Sequence, residues 1–390
     1  MNINVDQRFN FLPVPTDVHF GFGVAASMAE HVARLQGHRV FVVTDPGVRR
    51  AGSIDEITTS LEHARIELTI FDNVTADSGS TLICEGLREL EAFSADTVIG
   101  VGGGSALDTA KAIAALATNP GSPLDYVGLD RLRVRPLPTI AVPTTAGTGS
   151  EVSVWSVFTD DERRLKVAIG GVLLCPPVAL CDPALTLRLP PSLTASTGMD
   201  ALAHAIECYT NKACGPISAA LALRAVELIG QHLAAAVTDG SSREARYGMS
   251  LASTLAGIAM NPTRLGLAHA LAMPLGSWDL KIPHSIAIAV TLPVVMAFNF
   301  TAAPDRFAAV ARALGERTDQ GSKIQAAERA VSAVARLATA IGIPKGLSAF
   351  GLTEHHIDAV VEEAMKSGNV AVNPRETSRE DLAGILRNAL

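Results

Sequence analysis

Residues 98–111 read VIGVGGGSALDTAK. An apolar run of strand character passes directly into Gly102, Gly103 and Gly104, then Ser105, then a stretch with helical spacing. Glycine lets backbone N–H groups approach a phosphate closely, and the first turn of the helix that follows adds its partial positive charge. The order strand, glycines, helix therefore predicts a phosphate-binding turn, with Ser105 either capping the helix or bonding a phosphate oxygen. On its own the turn names no cofactor.

The same alternation continues to either side. Residues 39–44 (RVFVVT), 66–71 and 138–142 (PTIAV) read as further strands beside 97–101, and 80–93 and 108–117 have helical spacing. Strands alternating with helices predict a parallel sheet covered on both faces. After residue 190 the strand signals fade, and helical patterns occupy 195–209, 218–236, 242–259, 305–314, 326–340 and 355–364. LPPS at 189–192 breaks the chain between the two regimes, so we expect domains of residues 1–189 and 190–390. A final helix is expected to open at Thr377, whose spacing to Glu380 is that of a capping box.

Composition narrows the function. A chain of 390 residues predicts two domains, and 48% apolar against 18% charged residues supports a large core. A net charge of −7 without any dense Lys/Arg block argues against nucleic-acid or anionic-membrane partners. The five cysteines, Cys84, Cys175, Cys181, Cys208 and Cys214, form no CxxC, so neither a disulfide framework nor a Cys-zinc site is indicated and a reducing cytoplasm is expected. MNINVDQRFN at the start has no signal-peptide pattern, and the apolar stretch 286–298 is too short to span a bilayer.

Two more loops carry small polar residues. PTTAGTGSE at 143–151 follows a strand and suits either a ribose or phosphate contact or an ordinary polar loop. Gly21-Phe22-Gly23-Val24-Ala25-Ala26 matches GxGxxA, but so early in the chain it reads as a turn into the first helix.

GMDALAHAIECY at 198–209 places Asp200 and His204 four apart on one helix face. That pair can supply two ligands of one ion, but taken alone it fits better a helical His–Asp hydrogen bond without a metal. LAHALAMPLGSWDLKIPH at 267–284 adds His269 and, after Pro283, His284. Three imidazoles with one carboxylate fit Fe(II) or Zn(II) and not calcium or magnesium.

Taken in order, GGGSALDTAK, PTTAGTGSE, GMDALAHAIECY and the His269…Pro283-His284 segment resemble the iron-containing, or group III, alcohol dehydrogenases. So do PTDVHFGFG near the start and Asn373-Pro374-Arg375 near the end, so the likeness spans the chain. It implies an α/β N-terminal dinucleotide-binding domain with a parallel sheet, an all-helical C-terminal metal-binding domain in the dehydroquinate-synthase-like arrangement, and an active site in the cleft. By resemblance, Gly102, Gly103, Gly104 and Ser105 hold the pyrophosphate of NAD, with Asp108 in the same contact region. Thr144, Thr145 and Thr148 line the dinucleotide, Asp45 lies at the adenosine ribose and Lys166 near the nicotinamide. Asp200, His204, His269 and His284 are the ligands of one divalent metal, Fe2+ or Zn2+.

Three departures stand out. Met273 occupies the place of a second family histidine near the reacting carbon, the 274–284 segment is one residue longer, and Ser285 replaces a common glycine. Arg264, five residues before His269, is a candidate clamp for an acidic group on the substrate, with Met273 as a more apolar wall.

The expected reaction interconverts a small primary or secondary alcohol and its aldehyde or ketone, by hydride transfer from the metal-held alkoxide to NAD, in a homo-oligomer of two or more copies. A metal lowers the pKa of bound water from roughly 15.7 to about 7. A like effect on an alcohol is worth on the order of 10 kcal/mol. The rival readings are a lyase of dehydroquinate-synthase type and a non-catalytic nucleotide- or metal-binding protein. The Asp45 carboxylate predicts preference for NAD over NADP.

Overall fold

The computed structural model describes residues 14–277, 280 and 282–390. The leader reading of MNINVDQRFN and part of the lengthened 274–284 segment, at Trp278, Asp279 and Lys281, lie outside the described residues.

The first half runs β1 (Asp17–Phe20), α1 (Met28–Arg34), β2 (Arg39–Val43), α2 (Pro46–Arg50), α3 (Asp55–His63), β3 (Glu67–Phe71), α4 (Ser80–Phe93), β4 (Thr97–Gly102), α5 (Gly104–Leu116), β5 (Gly128–Leu129), β6 (Thr139–Pro143), β7 (Trp155–Asp160), β8 (Leu165–Gly170) and β9 (Val178–Cys181). Six strands pair in parallel in the order β1-β9-β6-β4-β2-β3. Period-two alternation sends their side chains into two layers. Phe41, Val43 and Val98 meet Ile83 and Leu90 of α4 and Ala110 and Ile113 of α5. Val40, Val42, Ile99 and Val101 meet Met28, Val32, Ile57 and Leu61 of α1 and α3 on the opposite face.

The second half is helical: α6 (Pro191–Thr210), α7 (Pro216–Thr238), α8 (Arg243–Met260), α9 (Leu267–Leu275), α10 (His284–Asn299), α11 (Pro304–Ala313), α12 (Lys323–Ala340), α13 (Glu354–Ala364), α14 (Gly368–Val372) and α15 (Arg379–Asn388). Small residues all around α6 let it run through the middle, buried continuously from Thr194 to Thr210. α7 and α8 pack on it, and α10 crosses it. α7 has the length and apolarity to cross a bilayer, and it lies in this bundle with Ala222, Val226, Ile229 and Leu233 buried.

The strands and long helices read from the sequence are found within a few residues of their expected ends, and α6 begins at Pro191. The sequence reading had no counterpart for β9 or for the small sheet β5-β8-β7, in which β7 and β8 form an antiparallel hairpin. The final capping box is shifted by one residue. Ser378, not Thr377, accepts from Asp381 N–H at 3.1 Å, and the Asp381 carboxylate returns to Ser378 N–H at 2.9 Å. The hydroxyl of Thr377 instead donates to the Arg375 carbonyl. The GxGxxA stretch is a turn into the first helix, its Gly23 and Ala25 N–H groups donating to the Asp182 carboxylate at 2.9 and 3.2 Å.

Candidate active site

The chain leaves β2 toward β3 on one side of the sheet and returns through α4 to β4 on the other. Open α/β sheets bind ligands beyond the carboxyl ends of their strands at such a reversal. Asp45 stands just past β2, and Gly102 ends β4.

Packing explains the glycines. Gly102 has φ +153°, and a Cβ there would lie 2.6 Å from the Ala106 methyl; a Cβ at Gly104 would lie 2.6 Å from Cγ2 of Thr148. The second loop thus covers the first, with Thr145 against Gly103 and Thr148 against Gly104. Thr144 N–H donates to the Gly102 carbonyl at 2.9 Å and ties the loops edge to edge.

Three expected cofactor residues have structural duties. α5 opens at Gly104 with Gly103 as its N-cap, so Ser105 is in the first turn and is not the cap; its Oγ accepts from Asp77 N–H at 3.4 Å. Oδ1 of Asp45 caps α2 through the N–H groups of Gly47 (2.7 Å) and Val48 (2.9 Å), leaving Oδ2 over Gly102. Both oxygens of Asp108 are taken by protein donors: the Ser150 hydroxyl at 2.5 Å, the Val157 N–H at 3.0 Å and the Lys111 ammonium at 3.0 Å. Asp108 therefore pins the second loop and β7 to α5 rather than presenting its carboxylate to the crevice.

The imidazoles converge below this loop. Asp200, His269 and His284 each offer a ligand atom within 4.8 Å of the others. His204 joins from the next turn of α6, with Nε2 3.9 Å from Oδ1 of Asp200; His269 Nε2 is 3.4 Å from the same oxygen. Bonds near 2.1 Å at tetrahedral angles would put ligand atoms roughly 3.4 Å apart. Oδ1 of Asp200, Nε2 of His269 and Nδ1 of His284 are buried without a hydrogen-bond partner. Buried polar atoms without partners are costly. Partnerless atoms on Asp200, His269 and His284, in a cluster whose donor set is nitrogens and one carboxylate, fit a divalent metal.

Partners behind the rings fix which nitrogen is available. His204 Nδ1 lies 3.2 Å from the Gly147 carbonyl, which can only accept, so Nε2 is left for a metal. His269 Nδ1 is 2.6 Å from Oε2 of Glu207, and Glu207 also accepts from Gly266 N–H at 2.9 Å and Ala268 N–H at 2.7 Å. Burial alone would lower the His269 pKa, but Glu207 and Asp200 overcome it and raise the ring to about 9. Burial pushes the Asp200 carboxyl up, yet His204, His269 and His284 hold it well below the usual carboxylate range. For His284, burial and then the charge of Lys166 bring the ring down to about 3. The cluster thus favours positive charge beside Asp200 and Glu207, which a bound cation supplies.

Lys166 lies on β8 with its side chain almost wholly buried, ion-paired through Nζ with Asp77. Its N–H donates to Ser277 Oγ at 3.4 Å, and that hydroxyl donates to the Met273 carbonyl at 3.0 Å. Lys166 therefore stands at the end of the helix that carries His269 and half-buried Met273. Arg264 is exposed, has a left-handed backbone (φ 60°) and lays its guanidinium over Gly368 of α14.

Residues 15–183 match the model of the iron-containing alcohol dehydrogenases, and residues 194–390 match that of the C-terminal part of the Fe-containing alcohol dehydrogenase family. The chain belongs to the iron-containing alcohol dehydrogenase family. It is an oxidoreductase that interconverts alcohols and carbonyl compounds in a metal-dependent way. It is 40% identical to 1,3-propanediol dehydrogenase of Citrobacter freundii over 98% of this chain and 99% of that one. A crystal structure of a 1,3-propanediol oxidoreductase superposes with a TM-score of 0.95 at 38% identity, covering 98% of this chain and all of the other. Sulfoacetaldehyde reductase from Bifidobacterium kashiwanohense, solved in complex with NAD+, superposes with a TM-score of 0.87 at 30% identity, covering 98% and 99%.

Within this family framework the sequence reading missed Glu207, Lys111 and Asp77. Glu207 was within reach: positions 200, 204 and 207 share one face of α6, and Asn211, just past its end, binds the turn before α9. Lys111 is a buried cation whose ammonium donates to the carbonyls of Ser150 and Trp155, a role visible only once β7 is in place. Asp77 lies in the unremarkable turn TADSGS and carries no local signal.

Proposed function

We propose that this alcohol dehydrogenase interconverts a small primary or secondary alcohol and its aldehyde or ketone with NAD(H), using one divalent metal held by Asp200, His204, His269 and His284. The observation that carries the reading is the clustering of Asp200, His269 and His284 within 4.8 Å of one another, each with a buried polar atom that lacks a hydrogen-bond partner. A metal held there would supply a Lewis acid for the substrate oxygen, and a bound nicotinamide would supply the hydride acceptor. Three nitrogens with one oxygen favour Fe2+, with Zn2+ as the alternative.

The protein's share is positioning. Gly102–Gly104, the first turn of α5 and the loop of Thr144, Thr145 and Thr148 take the pyrophosphate and ribose; Oδ2 of Asp45 takes the adenosine ribose and disfavours a 2′-phosphate. Lys166 takes the nicotinamide end. A domain boundary at 189/190, a homo-oligomeric state and a reducing cytoplasm complete the proposal, the last supported by five free thiols. The test is a screen of alcohols and aldehydes against NADH absorbance, with metal analysis of the same sample. Turnover with a stoichiometric transition metal and faster use of NAD than NADP is expected. Absence of any net NADH change, with turnover of a phosphorylated sugar acid, would instead identify a lyase.

A second reading concerns the substrate. Among the described residues no acidic partner is recorded for the Arg264 guanidinium, and a relative is named for an aldehyde that bears a sulfonate. On that basis Arg264 clamps an acidic group on a short aldehyde. Arg264→Ala is then expected to raise KM for the acidic aldehyde about tenfold or more, as a lost charge-assisted pair should, and to leave its uncharged analogue unchanged. Equal effects on both, or faster turnover of plain aliphatic aldehydes by wild type, reject the clamp.

A further inference from the structure

Oxidation of an alcohol releases a proton as well as a hydride, and the proton needs a way out of a buried site. Around the ligand cluster most groups able to carry it are committed. Asp200 and the three imidazoles face the metal position. Glu207 accepts from three donors and Asp108 from three others. Met273 has no exchangeable proton.

We propose that Lys166 and Asp77 form the proton outlet of this site. The pair spans the distance from interior to solvent: the Lys166 side chain is 6% exposed and that of Asp77 38%. The inner end reaches the helix that carries His269: the Lys166 stem packs on Gly276 at the end of α9, and the Lys166 backbone N–H donates to Ser277 Oγ at 3.4 Å. The outer end is held in a fixed pose. Asp77 adopts a left-handed backbone, φ 58°, a conformation that Asp takes more readily than most residues. Its N–H donates to Ser105 on α5 at 3.4 Å, and its carbonyl accepts from the Thr159 hydroxyl of β7 at 3.2 Å. The residue is thus tied to the glycine-turn helix and to the small sheet, and its carboxylate is aimed at Lys166.

The step balances without any further reactant. The C–H bond of the alcohol leaves with its electron pair as hydride to NAD+. The O–H proton passes to Lys166 Nζ as Nζ hands one of its own protons to Asp77 Oδ1, and Asp77 releases it to water. In aldehyde reduction the same path runs inward. The proposal rests on the alcohol dehydrogenase reading above and adds to it a carboxylate that lies outside the metal ligands and the cofactor turn.

Asp77→Asn tests it, since the amide keeps an oxygen for Lys166 but accepts no proton. We expect hydride transfer to slow about 100-fold, the lower end of what proton-transfer groups contribute. The solvent deuterium isotope effect should rise, while NADH affinity of the metal-free protein, read by fluorescence, stays within about twofold. Asp77→Ala should lose rate likewise and regain it with added formate, and both variants should melt as wild type does. A wild-type rate and isotope effect in Asp77→Asn overturn the outlet. So does a fall in NADH affinity that matches the loss of rate, because the pair would then only hold the cofactor; so does an Asp77→Ala protein that formate leaves slow. A wild-type protein that turns over no alcohol overturns the reading beneath the proposal, a result distinct from active wild type beside an unaffected Asp77→Asn.

Discussion

Glu207 accepts from two backbone N–H groups and from the Nδ1–H of His269 on one carboxylate. A carboxylate behind a ligating imidazole fixes its tautomer and raises its basicity, and losing it costs 10–100-fold in metal affinity. Glu207→Ala is therefore expected to lose metal to a chelator at about 10–100-fold lower concentration than wild type, and metal content after graded dialysis measures it. A second buried carboxyl makes a prediction in pH. Burial raises the Glu151 pKa above its ordinary 4.5, outweighing the hydrogen bond from Thr254, so the folded protein keeps a proton that the unfolded chain loses. With more protons on the folded state, stability falls as pH rises through and beyond 4.5, and it levels off above the folded pKa. Glu151→Gln keeps the acceptor for Thr254 and removes the titration. Its Tm should equal that of wild type near pH 4.5 and exceed it increasingly toward pH 8; parallel Tm curves would show that Glu151 is charged in the fold. The legibility of these residues follows from their surroundings. Asp200 and His204 declare themselves by spacing on one helix, and Glu207 shares their face. Asp77 acquires its meaning only from Lys166, 89 positions away in the chain.

At the scale of elements, the strand–glycine–helix run was readable because three constraints act within fourteen residues: a strand buried on both faces, a turn without side chains and a run of small helix-forming residues. The small sheet was not. β7 and β8 are half-exposed strands joined by the charged turn around Asp161, so neither shows the continuous apolar run of the main sheet. β9 is short and lies among Cys and Pro residues, and it enters the main sheet only through pairing with β1 and β6. The glycine turn yields a prediction about elements in contact. Gly104→Ala forces a methyl within 2.6 Å of Thr148 Cγ2, so the two loops must part. Overpacking of this kind costs about 1–3 kcal/mol. NADH affinity should fall roughly tenfold or more, by that same energy, while metal content is retained. Adding Thr148→Ser, which removes the opposing methyl, should restore part of the affinity. Loss of metal together with NADH binding would mean that the damage spreads beyond the turn.

Across the whole molecule one loop touches everything that matters. Residues 143–151 cover the glycine turn through Thr145 and Thr148, accept the His204 ring at Gly147, and reach α8 where Glu151 meets Thr254. The dinucleotide crevice and the ligand cluster are therefore joined by a direct hydrogen bond at the Gly147 carbonyl. If a metal is held by Nε2 of His204, it would keep the proton on Nδ1, strengthen the bond to that carbonyl and order the loop over the glycine turn. Coupling of this kind is typically 1–3 kcal/mol, about 5–150-fold, and it is reciprocal. NADH should then bind the metal-loaded protein at least about fivefold more tightly than the metal-free protein, and NADH should tighten metal binding by the same factor. Fluorescence titration of NADH with and without metal measures one side of the cycle, and metal titration with and without NADH the other. His204→Ala removes both the ligand and the ring that grips Gly147, so it should lose most bound metal and nearly all turnover while still binding NADH with the affinity of the metal-free wild type. Identical NADH affinities in the loaded and metal-free wild-type protein would show that the two halves of the site are assembled side by side without communicating through the loop.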